Sequence, residues 1–137
     1  SLAEGATLDD ATVFLVDDDP SVRDSLSLLL SLKGLRTRVY SSAESLLATY
    51  EAGWRGCVLT DLKMPGLTGI ELQQALAELG SPLPVVVLTA HGDVATTRQA
   101  LKAGAFDFLE KPVDDDVLLD VLHNAIRRDH ERRAEQA

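Results

Sequence analysis

The chain has 137 residues, the size of one ordinary domain and too short for two. Its 22 acidic against 13 basic residues give a net charge of −9, which repels phosphate backbones and anionic lipid and argues against direct binding of nucleic acid or a membrane. Hydrophobic residues make up 45%, Cys57 is the single cysteine and no apolar run approaches the ~18–20 residues that span a bilayer. The expectation is a cytoplasmic domain with its own core and neither a disulfide nor a multi-cysteine metal site.

Residues 1–11 are read as an N-terminal tail, short and acidic, without the pattern of a secretion signal; since the first residue is Ser1 and not Met, they are taken as a processed or excised end. A first strand is predicted over Val13–Val16, followed by Asp17-Asp18-Asp19. Asp19 is placed to cap a helix that begins at Pro20, where a missing N–H costs nothing, and that Gly34 ends. Leu35–Tyr40 reads as the second strand, and Ser41 to Glu44 matches a capping box that opens the second helix. Trp54, in a glycine-bounded loop, is expected to cover the sheet edge. Cys57–Thr60 forms the third strand, running into Asp61, and a second capping box, Thr68 to Glu71, opens the third helix. Val85–Thr89 is the fourth strand, and Asp93 caps a helix that stops at Gly104. The fifth strand, Phe106–Leu109, leads to Lys111-Pro112, and Asp114 caps a last helix whose stripe comprises Val117, Leu118, Val121, Leu122, Ala125 and Ile126. Residues 129–137 read as a polar helix end or the start of a linker, with Arg127, Arg128, Arg132 and Arg133 on a solvated face.

The alternation of short β-branched runs with helical spacing implies (βα)5, a doubly wound parallel five-stranded sheet of flavodoxin-like order 2-1-3-4-5. The first, third and fourth strands are almost continuously apolar, as strands covered on both faces are, and should be central. In such a sheet the C-terminal strand ends converge, bringing together Asp17, Asp18, Asp61, Thr89 and Lys111. Carboxylates in adjacent loops repel one another unless a cation or proton lies between them. All-oxygen ligation suits Mg²⁺, which recruits phosphate oxygens, so the site points to phosphoryl chemistry.

The ordered set Asp17-Asp18, Asp61 with Met64-Pro65-Gly66, Thr89-Ala90 and Lys111-Pro112 resembles the receiver domain of two-component response regulators over 12–128. Thr60-Asp61-Leu62-Lys63-Met64-Pro65, His91-Gly92-Asp93-Val94 and Lys102 to Phe108 are most similar to receivers of the nitrogen-fixation transcription regulator type. The resemblance implies that Asp61 is the phosphoacceptor for a sensor histidine kinase. It further implies that Asp18, Asp61 and the Lys63 carbonyl hold Mg²⁺ directly, with Asp17 acting through water. Thr89 would bond a phosphoryl oxygen, Lys111 would pair with Asp61 and then with the phosphoryl group, and Phe108 would be the aromatic switch. The Lys111-Pro112 bond is expected to be cis. The implied output is a surface of the fourth helix, fifth strand and fifth helix, with a phosphorylation-dependent homodimer and an attached or separate output domain in transcription regulation; the chain itself is read as an excised piece. Any catalysis would be confined to its own phosphotransfer and dephosphorylation.

Two rivals compete with this. Asp17-Asp18-Asp19-Pro20-Ser21 imitates the Asp-x-Asp pattern of haloacid-dehalogenase-type phosphatases, but Ser21 departs from it and Asp61 to Pro65 is left unexplained. A receiver-like fold used only for protein contacts would leave the five site residues without a purpose. His91 is expected to be a solvated loop residue and Cys57 a small core hydrophobe.

Overall fold

The β-branched runs pair as parallel strands because the helical segments between them carry the chain back across the sheet each time. The computed structural model describes residues 10–136, so the expected tail, apart from Asp10 and Ala11, lies outside the described residues. Strands β1 (Thr12–Val16), β2 (Arg36–Tyr40), β3 (Gly56–Asp61), β4 (Val85–Thr89) and β5 (Asp107–Glu110) alternate with helices α1 (Pro20–Leu32), α2 (Ala43–Thr49), α3 (Gly69–Glu78), α4 (Val94–Lys102) and α5 (Asp115–Gln136). All neighbours are parallel, in the order β2-β1-β3-β4-β5. The flavodoxin-like doubly wound order is thus the observed one, with β1, β3 and β4 in the middle.

Period-two alternation divides the core between the sheet faces. Val13, Leu15, Cys57, Leu59, Val86 and Leu88 face Leu30 of α1 and Leu118, Leu122 and Ile126 of α5. Phe14, Val16, Val58, Val85 and Val87 face α2, α3 and α4. On that second face Trp54 stacks on Phe14 at 4.2 Å, with Tyr40 and Tyr50 around it. It therefore covers β1, one strand in from the β2 edge.

Three of the expected caps are observed and a fourth is shifted. Asp19, Thr68 and Asp93 cap α1, α3 and α4 as expected, but the box that opens α2 is Ser42 with Ser45, one residue later than Ser41 with Glu44. Glu44 reaches instead to the Leu67 N–H at 3.4 Å, in the loop after β3.

Helix α5 continues through Arg128 without a break. Its late turns are held by a buried carboxylate, not left in solvent: Asp129 accepts from the Gly56 N–H at 2.9 Å and from Arg133 Nε at 3.0 Å. Arg133 also donates to the Trp54 carbonyl. The all-solvated reading of this face therefore holds for Arg127, Arg128 and Arg132, which are exposed, and fails for Asp129 and Arg133. Gly56 cannot be replaced at this junction: its φ is +127°, and a Cβ would lie 1.9 Å from the Thr12 carbonyl oxygen.

Removing the Asp129 carboxylate leaves the buried Gly56 N–H without an acceptor. Asp129→Ala is therefore expected to lower the unfolding free energy by about 1–3 kcal/mol in urea titrations, whereas Arg127→Ala should stay within about 0.5 kcal/mol of the parent.

Candidate functional site

Three strand ends build the site. β1 delivers Asp17 and Asp18, β3 ends in Asp61, and β4 ends in Thr89, whose carbonyl accepts the Lys111 N–H at 2.7 Å and so ties the exit of β5 to the site. Carboxylate oxygens of Asp17, Asp18 and Asp61 all lie within 4.8 Å of one another. The Asp17 side chain is almost fully buried and Asp61 is mostly so, while Asp18 is exposed. Lys111 Nζ stands 3.3 Å from Asp61 Oδ1 and 3.7 Å from Asp17 Oδ2, and the Lys111-Pro112 bond is cis, as expected.

Local bonds fix this arrangement. Asp17 Oδ1 accepts from the Asp19 N–H at 2.9 Å, and its carbonyl accepts from Arg23, one turn into α1, at 2.8 Å. Asp19 turns away to cap α1 through Ser21, whose N–H and hydroxyl hold its carboxyl below the usual range. The Leu62 N–H donates to the Leu88 carbonyl at 2.7 Å, which anchors the chain just beyond Asp61 to β4.

Electrostatics then sets what the cluster can do. Two unit charges at this separation repel by about 3–4 kcal/mol at an effective dielectric near 20. Three carboxylates and one ammonium sum to a formal −2. Asp61 registers the imbalance: desolvation pushes its pKa up, Lys111 pulls it down and Asp17 raises it again, with a net upward shift. A hard divalent cation on oxygen donors would cancel the residual charge, so the donor set fits Mg²⁺.

Thr89 and Phe108 lie beside the cluster. The Thr89 hydroxyl donates to the His91 carbonyl at 3.1 Å and accepts the His91 N–H at 3.2 Å, so it is turned to the loop before α4. Phe108 sits on β5 opposite Val87 and packs against the core. Gly92 lies between the two: a Cβ there would be 3.2 Å from the Phe108 ring and 3.4 Å from the Thr89 methyl. Lys63 follows Asp61 by two residues in the loop; the Asp93 carboxyl is held low chiefly by its hydrogen bonds from Thr96, to which the Lys63 ammonium adds only a small part. His91 is exposed, and Cys57 is buried with its thiol pushed up to about 12 by desolvation.

The structure thus draws Asp17, Asp18, Asp61 and Lys111 together and sets Thr89 next to them. Sequence reasoning missed Arg23, Glu44 and Gly92. Arg23 was open to detection as a long donor one helical turn beyond Asp19; the contacts of Glu44 and Gly92 depend on loop paths that no local pattern specifies.

A family profile described as the response regulator receiver domain matches residues 13–123. The transcriptional regulatory protein TdiR of Thauera aromatica is 44% identical over 126 residues, covering 92% of this chain and 56% of that protein. The transcriptional regulatory protein FixJ of Bradyrhizobium diazoefficiens is 41% identical over 116 residues, covering 85% of this chain and 57% of FixJ. Among solved structures, the response regulator StyR superposes with a TM-score of 0.86 at 40% identity, over 92% of this chain and 64% of that one. The chain therefore spans a little over half the length of the curated relatives it matches.

The raised Asp61 pKa means that the folded state binds that proton more tightly than the unfolded state does. Ionising Asp61 therefore costs stability, a cost absent well below the ordinary aspartate pKa and complete once the pH exceeds the raised one. In metal-free buffer Asp61→Asn should melt higher than the parent at pH 7, and the difference should shrink as the pH falls through the Asp61 pKa; a lower melting point at pH 7 would contradict this charge balance.

Proposed function

Because the chain belongs to the response regulator receiver family, we propose that it accepts a phosphoryl group from a partner histidine kinase onto Asp61 and that the acyl phosphate switches an output surface. The observation that carries this reading is the cluster of three carboxylates, in which Asp61 has more exposed surface than Asp17 and pairs with the Lys111 ammonium at 3.3 Å. Asp17, the nucleophile of a dehalogenase-type phosphatase, has only 3% of its side chain exposed and is held by Lys111 and the Asp19 N–H, which disfavours that reading.

Asp18, Asp61 and the Lys63 carbonyl would hold Mg²⁺, with Asp17 assisting. The ion, when bound, supplies positive charge to phosphoryl oxygens. Asp61 supplies the attacking oxygen: an O–P bond forms as the P–N bond to the donor histidine breaks, and the imidazole leaves with the electron pair. The Lys111 ammonium, shared between Asp17 and Asp61, moves with the developing charge onto the phosphoryl group. Attack of water on phosphorus later returns the free Asp61 carboxylate and inorganic phosphate, so catalysis is confined to the chain's own phosphorylation and dephosphorylation.

The Thr89 hydroxyl must exchange the His91 carbonyl for a phosphoryl oxygen, which draws the loop inward. Since Gly92 separates the Thr89 methyl from Phe108, this motion changes the room beside the ring and, through the loop, the start of α4. Helix α4 yields readily, because Ala100 is its one buried residue while Val94 and Leu101 stay largely exposed. The output surface is α4, β5 and α5, and a homodimer through it is the first consequence. Regulation of transcription, by an attached or separate output domain, belongs to the same proposal, since TdiR and FixJ are transcriptional regulators of which the matched segment makes up 56% and 57%.

With Mg²⁺ and acetyl phosphate, intact mass should show one added phosphoryl group that hydroxylamine removes. Asp61→Asn should show none, and Asp18→Ala should weaken Mg²⁺ binding, read by magnetic resonance shifts, by about tenfold or more. Phe108→Ala should still be phosphorylated but lose most of the dimerisation that beryllofluoride induces, as read by light scattering. Full phosphoryl incorporation into Asp61→Asn would overturn the assignment.

A further inference from the structure

Glu44 stands in the first turn of α2, where the spacing suggests it as the second half of a capping box, yet Ser45 completes that box with Ser42. The Glu44 carboxylate is thereby left free of its own helix. It reaches across to the loop that joins β3 to α3, where Oε1 accepts the Leu67 N–H at 3.4 Å. Its Oε2 fills the space beside Gly66, so that a Cβ on that glycine would collide with it. This is the loop that follows Asp61 and carries the Lys63 carbonyl.

What that reach contributes depends on how the loop is otherwise held. Its ends are fastened: the Leu62 N–H donates to the Leu88 carbonyl at 2.7 Å, the Gly69 N–H closes the loop on the Leu62 carbonyl at 2.9 Å, and Thr68 with Glu71 caps α3. Met64 is buried and Leu67 packs against the same core, which sets the depth of the loop through side chains. The backbone between is held at one point. From Lys63 to Leu67, the Leu67 N–H is the one main-chain group with a hydrogen-bond partner among the described residues, and that partner is Glu44. Gly66, at φ +80°, precedes it, so the single tie falls where the chain has the most conformational freedom to lose.

We propose that Glu44 is a positioning residue for the phosphoryl site: by holding Gly66 and Leu67 from α2, its carboxylate sets the loop so that the Lys63 carbonyl is in place for Mg²⁺ before the ion binds. Glu44 acts through the loop and not on the ion. The inference rests on the reading that Asp18, Asp61 and the Lys63 carbonyl take Mg²⁺. A carbonyl is a neutral ligand on a flexible chain, and one that the ion itself must order gives back in entropy part of what it contributes. A partner that orders it beforehand removes that cost, as the supports behind metal ligands do elsewhere.

Titration of MgCl₂ into the metal-free, isotope-labelled chain, followed by magnetic resonance shifts, reads the ion, and solvent exchange of the Leu67 amide reads the tie without it. Glu44→Ala should speed Leu67 exchange in the metal-free chain and weaken Mg²⁺ binding by about three- to tenfold, the worth of one hydrogen bond. Phosphorylation by acetyl phosphate should slow by the same factor at low Mg²⁺ and return to the parent rate at saturating Mg²⁺, since the loss lies in binding and not in the chemical step. Glu44→Gln keeps an oxygen acceptor and removes the charge, so it should stay within about twofold of the parent in all three measurements. Leu67 exchange or Mg²⁺ affinity unchanged in Glu44→Ala, or a slowed phosphorylation that saturating Mg²⁺ does not restore, would overturn the proposal. Glu44→Gln as impaired as Glu44→Ala would overturn it too, by making the effect one of charge at a distance. A parent chain that binds no Mg²⁺ would overturn the ion site itself, and the role of Glu44 with it.

Discussion

Three carboxylates gathered at one edge of the sheet, two of them sharing a single ammonium, are the constraint on which the rest of this structure depends. The sheet brings Asp17, Asp18 and Asp61 within 4.8 Å of one another, with Lys111 as their one cationic neighbour by ion pairing among the described residues. Such a cluster destabilises the folded state, and only a rigid scaffold keeps it assembled. The scaffold is visible in the bonds around it: Arg23 on the Asp17 carbonyl, the Asp19 N–H on its carboxylate, Leu62 on Leu88, and Lys111 on Thr89. All but the Arg23 bond are made by uncharged backbone donors. Each limits the freedom of a charged side chain to swing into solvent.

The repulsion also explains why the two ends of the sheet look so different. At the C-terminal strand ends, the negative charge of Asp17, Asp18 and Asp61 exceeds the positive charge of Lys111, as the donor set of a cation site would require. At the other end, Asp129 is buried with its Oδ2 answered by the Gly56 N–H and by Arg133, whose charge offsets its own although Oδ1 has no partner, and there it anchors α5. Buried acid by itself therefore decides little; what separates the two is whether the surrounding donors balance it.

Much of this was legible in the sequence. β1, β3 and β4 announce themselves as continuous apolar runs, and Asp17-Asp18, Asp61, Thr89 and Lys111 each follow a strand, so the topology alone brings them to one edge. The helix caps were readable from local spacing, except at Ser41 and Ser42, where two adjacent serines offer competing registers and a tertiary bond from Glu44 to Leu67 goes with the later one. What stayed hidden required knowledge of distant partners. Asp129 and Arg133 sit in a run of alternating charges that reads as solvated, and nothing local reveals that Gly56 and Trp54 lie beneath them. The parking of the Thr89 hydroxyl on His91, and Gly92 between Thr89 and Phe108, are likewise set by the path of a loop.

The proposed function stands or falls on which carboxylate carries the phosphoryl group, and reductive trapping reads that directly. Borohydride reduces an aspartyl phosphate to homoserine, releasing phosphate and leaving a permanent change of mass at the residue that carried it. Applied to the chain after incubation with Mg²⁺ and acetyl phosphate, followed by peptide mapping, it should place homoserine at position 61 alone. Homoserine at Asp17 would favour phosphatase-like chemistry, homoserine at Asp18 would reassign the acceptor, and homoserine at none of the three would remove the phosphoacceptor account altogether.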